Sequence, residues 1–305
     1  MNPIGALQEE SAVAAQEAAH GPEAGEPLLM EGLPDWISHH IGDDQVIEFA
    51  GLHLDLHGLA IEPFQLGPIT VDFSPTRQLV VMLLVAILLI LIFIPVARTI
   101  RSKGIEKAPR GFTNSMEAMI LYFRDEVVRP NIGHGADGYT PFILTLFFFI
   151  LGMNLVGLTP LGITPTANLS VTAALAVISF VVTEISGFRA LGPAGYAKTI
   201  FFLPPGLPTL MKPLMLVILT PVELLGKLTK PFALAVRLLA NMTAGHTLIL
   251  AILGMIFVLQ SYLMGVGSVV IASTLMILEL FVAFLQAYIF AMLTSVFIGL
   301  IRHAH

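Results

Sequence analysis

The chain has 305 residues, 56% of them hydrophobic and only 12% charged, a balance that excludes an ordinary soluble domain and points to several membrane spans. Its net charge of −6 comes mostly from the first 75 residues, and the absence of a basic patch argues against a nucleic-acid partner. There is no cysteine, which rules out a disulfide framework and any thiolate ligand or nucleophile.

The first 30 or so residues, rich in Ala, Glu, Gly and Pro, read as a mobile acidic arm. With Glu9, Glu10 and Glu17 and no apolar h-region, they predict no cleavable signal peptide. From Val46 to Phe73 the residues alternate, most clearly in Leu52-His53-Leu54-Asp55-Leu56-His57, which predicts short strands or a hairpin. His53, Asp55 and His57 would share one strand face; with no further ligand cluster nearby they read as a solvated polar face and no metal site is assigned. The boundary between this external arm, 1–77, and a membrane domain, 78–305, falls where the apolar sequence begins.

Leu79 to Ala97 is uncharged and long enough to span. Arg98, Arg101, Lys103, Lys107 and Arg110 follow, and the positive-inside rule puts that end in the cytoplasm and the acidic arm outside. Asn114-Ser-Met-Glu117 offers an N-cap with a carboxylate three residues on. Met116, Met119, Ile120, Phe123 and Val127 then trace one face of an amphipathic helix on the cytoplasmic surface, stopped at Pro130. Pro141 to Leu158 returns outward with one buried amide, Asn154, and a turn ending at Pro165 leads into Asn168 to Ile185, going back in. Glu184, Arg189 and Lys198 mark that inner end, and Leu203-Pro-Pro-Gly-Leu-Pro208 forbids regular structure. The last two helices, Pro231 to Met264 and Ser268 to Leu300, would each be roughly 50 Å long, with Gly265-Val-Gly267 as the turn between them. Both exceed a ~30 Å hydrocarbon core, so an oblique antiparallel hairpin is expected. The fold class is therefore all-α and integral to the membrane, with five crossings and the C-terminus in the cytoplasm.

Within this apolar sequence stands Arg237, an arginine with no acid beside it. At the bilayer centre such a group costs roughly 2.5–3.5 kcal/mol, so it needs a compensating role. On a helix, Asn241 shares its face and Glu223 returns to within ~40° of it, while His246 falls ~180° away, toward a neighbouring helix. Ala233, Ala235, Ala240, Ala244 and Gly245 are small enough to let another helix approach. On the last helix Glu279 and Gln286 share a face, ~10 Å apart. An antiparallel hairpin brings His246 and Glu279 together near the external side, where a carboxylate–imidazole pair can pass protons near neutral pH.

Arg237-Leu-Leu-Ala-Asn241-Met-Thr-Ala-Gly-His246, preceded by Lys230-Pro231, resembles the signature of subunit a of F-type ATP synthases. Glu279-Leu-Phe-Val-Ala-Phe-Leu-Gln286-Ala-Tyr resembles that family's last membrane helix. Weaker echoes are Asp35-Trp-Ile-Ser-His39-His40, Asn154-Leu-Val-Gly-Leu-Thr-Pro160 and Asn168-Leu-Ser-Val-Thr172.

The resemblance implies a proton-translocating stator subunit in a bacterial plasma membrane. It would be no enzyme on its own and would carry no cofactor. Its partners would be a ring of c subunits, peripheral-stalk b subunits, membrane lipids and, indirectly, the catalytic head. It further implies that Arg237 faces the c-ring carboxylate, that Asn241, His246, Glu279 and Gln286 line an external half-channel, and that Glu223 stands in a cytoplasmic one. Lys230, Asn154, Asn168, Thr172 and Glu184 would support these paths. Many members place the acid on the first hairpin helix and the histidine on the second; His246 and Glu279 stand the other way round. Members often line the inner path with serines, where this chain has Gly226 and Ala233 with Thr229 between.

The alternative is a secondary transporter with the polar row as a substrate site, but no internal repeat supports it. A scaffold that only packs a partner leaves the arginine unexplained. A stand-alone enzyme lacks a phosphate-binding glycine loop, a nucleophile triad or a metal cluster.

Overall fold

The structure is a computed structural model that describes residues 46–49, 52–55, 64–66, 69–71, 76–103, 111–159, 162–201, 211–259 and 262–303. Ahead of the helices lie two antiparallel strand pairs, β1 (Val46–Phe49) with β2 (Leu52–Asp55), and β3 (Phe64–Leu66) with β4 (Ile69–Val71). The Asp35 to His40 echo, His57, Lys107, Arg110 and the stretch 203–208 lie outside the described residues.

Among the described residues seven α-helices follow. They are α1 (Arg77–Lys103), α2 (Phe112–Tyr122), α3 (Arg129–Ile132), α4 (Thr140–Gly157), α5 (Leu169–Ile200), α6 (Lys212–Leu259) and α7 (Tyr262–Arg302). Among the described residues five of them, α1 and α4 to α7, are long and apolar enough to cross a membrane. Leu, Ile, Val and Phe point outward along α1, α6 and α7 in large numbers, as a lipid solvent allows and water does not.

The helices differ from the sequence expectation at several places. α2 begins at Phe112 behind Gly111 with no side-chain cap, so Asn114 lies inside the helix and is not its N-cap. α5 runs past Ile185 to Ile200, and α6 begins at Lys212, well before Pro231. α1 runs through Pro95 and continues to Lys103, so its basic residues extend the helix rather than following it. Pro130 does not stop its helix. The backbone enters a π-helical segment, Phe123–Val128, just before it and stays helical to Ile132, ending at Gly133 with φ 71°. The wider register of that segment absorbs a residue that has no N–H to give. Gly265 and Gly267 are not the turn, because α7 already begins at Tyr262 and both glycines lie in its first turns. A glycine costs a helix only ~1 kcal/mol, which the apolar neighbours outweigh. α6, which starts at Lys212 and runs through Pro221 and Pro231, reaches 48 residues and α7 reaches 41, roughly 72 and 62 Å.

α5 is two helices merged across Gly192 (φ 68°, ψ 174°), followed by Pro193. A backbone in that region is open essentially only to glycine. The core forms where α4, α5, α6 and α7 meet, around Phe147, Ile150, Leu238, Met242 and Phe290. Phe123 of the π segment joins it, its ring centroid 4.3 Å from that of Phe147. Gly299 makes the closest crossing possible, since a Cβ there would lie 1.8 Å from the carbonyl oxygen of Asn131.

Candidate functional site

The polar residues singled out in the sequence gather along the seam between α6 and α7. His246 Nδ1 lies 3.0 Å from Glu279 Oε1. Asn241 Nδ2 donates to Gln286 Oε1 at 2.8 Å. Glu279 and Gln286 are buried, at 5% and 1% exposure, so both must be satisfied inside the protein. Gly245 makes room for the first pair: a Cβ there would stand 2.7 Å from Glu279 Oε1. The second carboxylate oxygen, Oε2, is buried with no hydrogen-bond partner among the described residues.

Arg237 sits on the outward face of α6, with Ala233, Ala240 and Ala244 exposed beside it and Asn241 at its edge. Leu238, Met242 and Ala235, on the opposite face, enter the core. The helix therefore presents one charge on a strip of methyl groups, a surface shaped for close approach of another backbone. Of the small residues expected around the arginine, Ala235 and Gly245 serve the interior instead.

Asn154 is fully buried on α4. Its Nδ2 donates to the carbonyl of Ala283 at 3.2 Å, and its Oδ1 accepts from the Thr166 hydroxyl at 2.7 Å. It thus ties α7 to the turn before α5. Asn168 caps α5 by accepting from the Ser170 N–H at 2.7 Å, and the buried Thr172 hydroxyl donates back to the Asn168 carbonyl at 3.2 Å.

At the far end of the helices a cavity of about 220 Å³ opens between α5, α6 and α7. Glu223 lines it, 14 residues or roughly 21 Å along α6 from Arg237, together with Glu184, Lys227 and Lys230. Lys227 Nζ lies 3.3 Å from Glu184 Oε2 and 3.1 Å from the Thr199 hydroxyl. Glu184 also accepts from Tyr196, over whose ring the Lys227 ammonium sits at 4.6 Å. Lys230 packs its charge 5.6 Å from the Phe297 ring centroid.

Sequence reasoning looked along α6 for hydroxyls at this cavity and found only Thr229. Here Ser179, Thr183 and Thr199, all on α5, line it. Ser179 Oγ and Thr294 Oγ1 lie 2.8 Å apart, and Thr183 donates to the Ser179 carbonyl at 2.8 Å. No periodicity on one helix discloses a wall built by another. Thr164 was also missed: its hydroxyl lies 3.1 Å from His246 Nε2. Its only sequence signal is a threonine before Pro165 in a turn. No group of three or more metal-ligating side chains occurs among the described residues.

A family model for the ATP synthase A chain matches residues 79–299. The chain is 42% identical over 313 residues to ATP synthase subunit a of Anaeromyxobacter dehalogenans (strain 2CP-C), covering 99% of this chain and 78% of the relative. It is 45% identical over 253 residues to ATP synthase subunit a of Chloroherpeton thalassium (strain ATCC 35110 / GB-78), covering 81% and 74%. With ATP synthase subunit a 2 of Chlorobaculum tepidum it shares 41% over 294 residues, covering 95% and 80%.

Proposed function

The chain belongs to the ATP synthase A chain family, and on that premise we propose that it is the proton-translocating stator subunit of an F-type ATP synthase. It works with a c-subunit ring and peripheral-stalk b subunits in a bacterial plasma membrane, its N-terminal arm outside and its C-terminus in the cytoplasm. The arm, 1–77, and the membrane domain, 78–305, are separate units in this reading, and α2 lies along the cytoplasmic surface.

Protons come from outside past Glu279, His246, Gln286 and Asn241 to a carboxylate on a passing c subunit. Arg237 stabilises the charged form of that carboxylate and blocks leakage between the two half-channels. A guanidinium suits the task because it does not give up its proton in a protein, where a lysine can. The proton leaves through the cavity lined by Glu223, after the ring has turned. Helices α6 and α7, longer than the hydrocarbon core, lie obliquely along the ring.

The observation that carries this reading is the outward-facing Arg237 on its alanine strip, next to the bonded row Asn241–Gln286 and His246–Glu279. Complexes with Arg237→Ala or Arg237→Lys are expected to assemble and to lose ATP synthesis driven by a proton gradient in vesicles. Substantial synthesis by the alanine variant overturns the assignment.

A further inference from the structure

We propose that Thr164 is a positioning residue of the outer proton path, holding the His246 ring in the orientation that aims an N–H at Glu279 and joining Gln78 around a water-sized cavity on the far side of the imidazole. This rests on the reading of His246 and Glu279 as a relay.

The hydrogen-bond roles follow from which groups can donate. An ionised carboxylate only accepts, so the 3.0 Å contact with Glu279 Oε1 requires the proton on Nδ1. In the neutral ring Nε2 then carries the lone pair, and the group 3.1 Å from it, the Thr164 hydroxyl, must donate. The carboxylate thus sets the tautomer, and the hydroxyl, donating to the remaining lone pair, fixes the ring plane, as outer partners do for metal-bound histidines.

The fold takes care to put the hydroxyl there. Pro165 holds the preceding residue out of the helical region, and Thr164 is extended at φ −107°, ψ 101°. Thr164 is only 4% exposed, so its hydroxyl has no bulk water to turn to. Gly157 leaves the space it fills: a Cβ at that position would lie 2.1 Å from Thr164 Oγ1. Each partner of the imidazole thus depends on a glycine, Gly157 for the threonine and Gly245 for the carboxylate.

Beyond the ring is a cavity of about 10 Å³, lined by Arg77, Gln78, Thr164 and His246 among others. That is close to the ~10–15 Å³ one water needs, and a water there also needs two or more polar partners. Gln78 supplies one. It is 3% exposed, and its Oε1 has no hydrogen-bond partner among the described residues. A glutamine buried with a bare acceptor at the start of a lipid-facing helix is costly unless something meets it. A water relayed between Gln78 and the Thr164–His246 pair meets it, and it gives protons a route to the ring.

The test uses the assembled complex in membrane vesicles, with rates taken per assembled complex. Thr164→Val is expected to lower proton-driven ATP synthesis ~10-fold, less than the ~10²–10⁴-fold that an acid–base group itself contributes, as befits a residue that acts through one. Thr164→Ser, which keeps the hydroxyl, is expected to restore it to within about twofold. Thr164→Ala, smaller than threonine and free of any steric demand, should behave as valine does. In parallel, ¹⁵N resonances of the His246 ring, identified by their loss in His246→Ala, should show Nε2 hydrogen-bonded in the unaltered and serine proteins and released from that bond in the valine protein. A threonine that only fills space would not move that resonance. Wild-type rates in both Thr164→Val and Thr164→Ala, or an unchanged Nε2 resonance, overturn the inference while leaving the relay standing. If His246→Ala and Glu279→Ala also keep wild-type rates, it is the reading of the outer path that fails.

Discussion

His246 and Glu279, 33 residues apart in the chain, meet at 3.0 Å where α6 crosses α7. The imidazole is on the first helix of the hairpin and the acid on the second, yet both groups reach the same point, so exchanging them preserves the pair. Each single change to alanine leaves its partner buried without a proton donor or acceptor and should slow proton-driven ATP synthesis strongly. The double exchange His246→Glu with Glu279→His should recover more flux than either half of the exchange alone. A double-mutant cycle on proton-pumping rates in inverted vesicles measures this non-additivity. If the two single effects merely add, the residues are not a coupled pair.

Gly245 is the residue whose absence of a side chain allows that contact. Its Cβ, if present, would stand 2.7 Å from Oε1 and 2.9 Å from Cδ of Glu279. Gly245→Ala is expected to leave the complex assembled, since overpacking of this size costs roughly 1–3 kcal/mol. It should nevertheless displace the carboxylate and lower proton-driven synthesis several-fold. Full activity in the alanine variant would show that the 3.0 Å contact is not needed.

A third expectation concerns pH at the surface segment between α2 and α4. Arg129 donates to Asp137 at 2.9 Å and to Asp125 at 2.8 Å, and Arg124 donates to Asp125 at 3.0 Å. The hydrogen bond from Arg129 holds the Asp137 carboxyl below its ordinary value of 3.8, and that from Arg124 does the same for Asp125. Because both values are depressed in the fold, the tethering is complete above the ordinary carboxylate range and is lost as pH falls through the lowered values. The effect is small, as the groups are fully exposed to solvent. Amide protection over residues 129–138, measured against the intrinsic exchange rate at each pH, should fall on acidification below about pH 4, and Asp137→Asn should blunt that response. Identical profiles for the two proteins would dismiss the cluster as a tether.

How much of this could be read in advance depended on periodicity. The five long helices were legible because runs such as Leu79 to Ala97 are apolar at every position. The meeting of His246 with Glu279 followed from helical angle plus an antiparallel hairpin. Helix ends were harder. Pro130 and the Gly265, Gly267 pair are breakers in water, but a π-helical register and an apolar surround keep both stretches helical. What stayed hidden was chemistry supplied across elements. Thr164 reaches His246 from a turn, and Ser179 and Thr183 reach the 220 Å³ cavity from α5. Neither follows from any spacing along the helix it serves.

Glu184 and Tyr196 are separated by 12 residues, which along an uninterrupted helix would set them ~18 Å apart, yet they are hydrogen-bonded. The chain can double back only because Gly192 takes φ 68°, ψ 174°. Thr199, carried on the same returning segment, closes over Lys227 at 3.1 Å. One pair of torsions on a single residue therefore decides whether this chamber is roofed by its own helix or lies open as a trough, and with it how much of the Lys227 ammonium meets solvent.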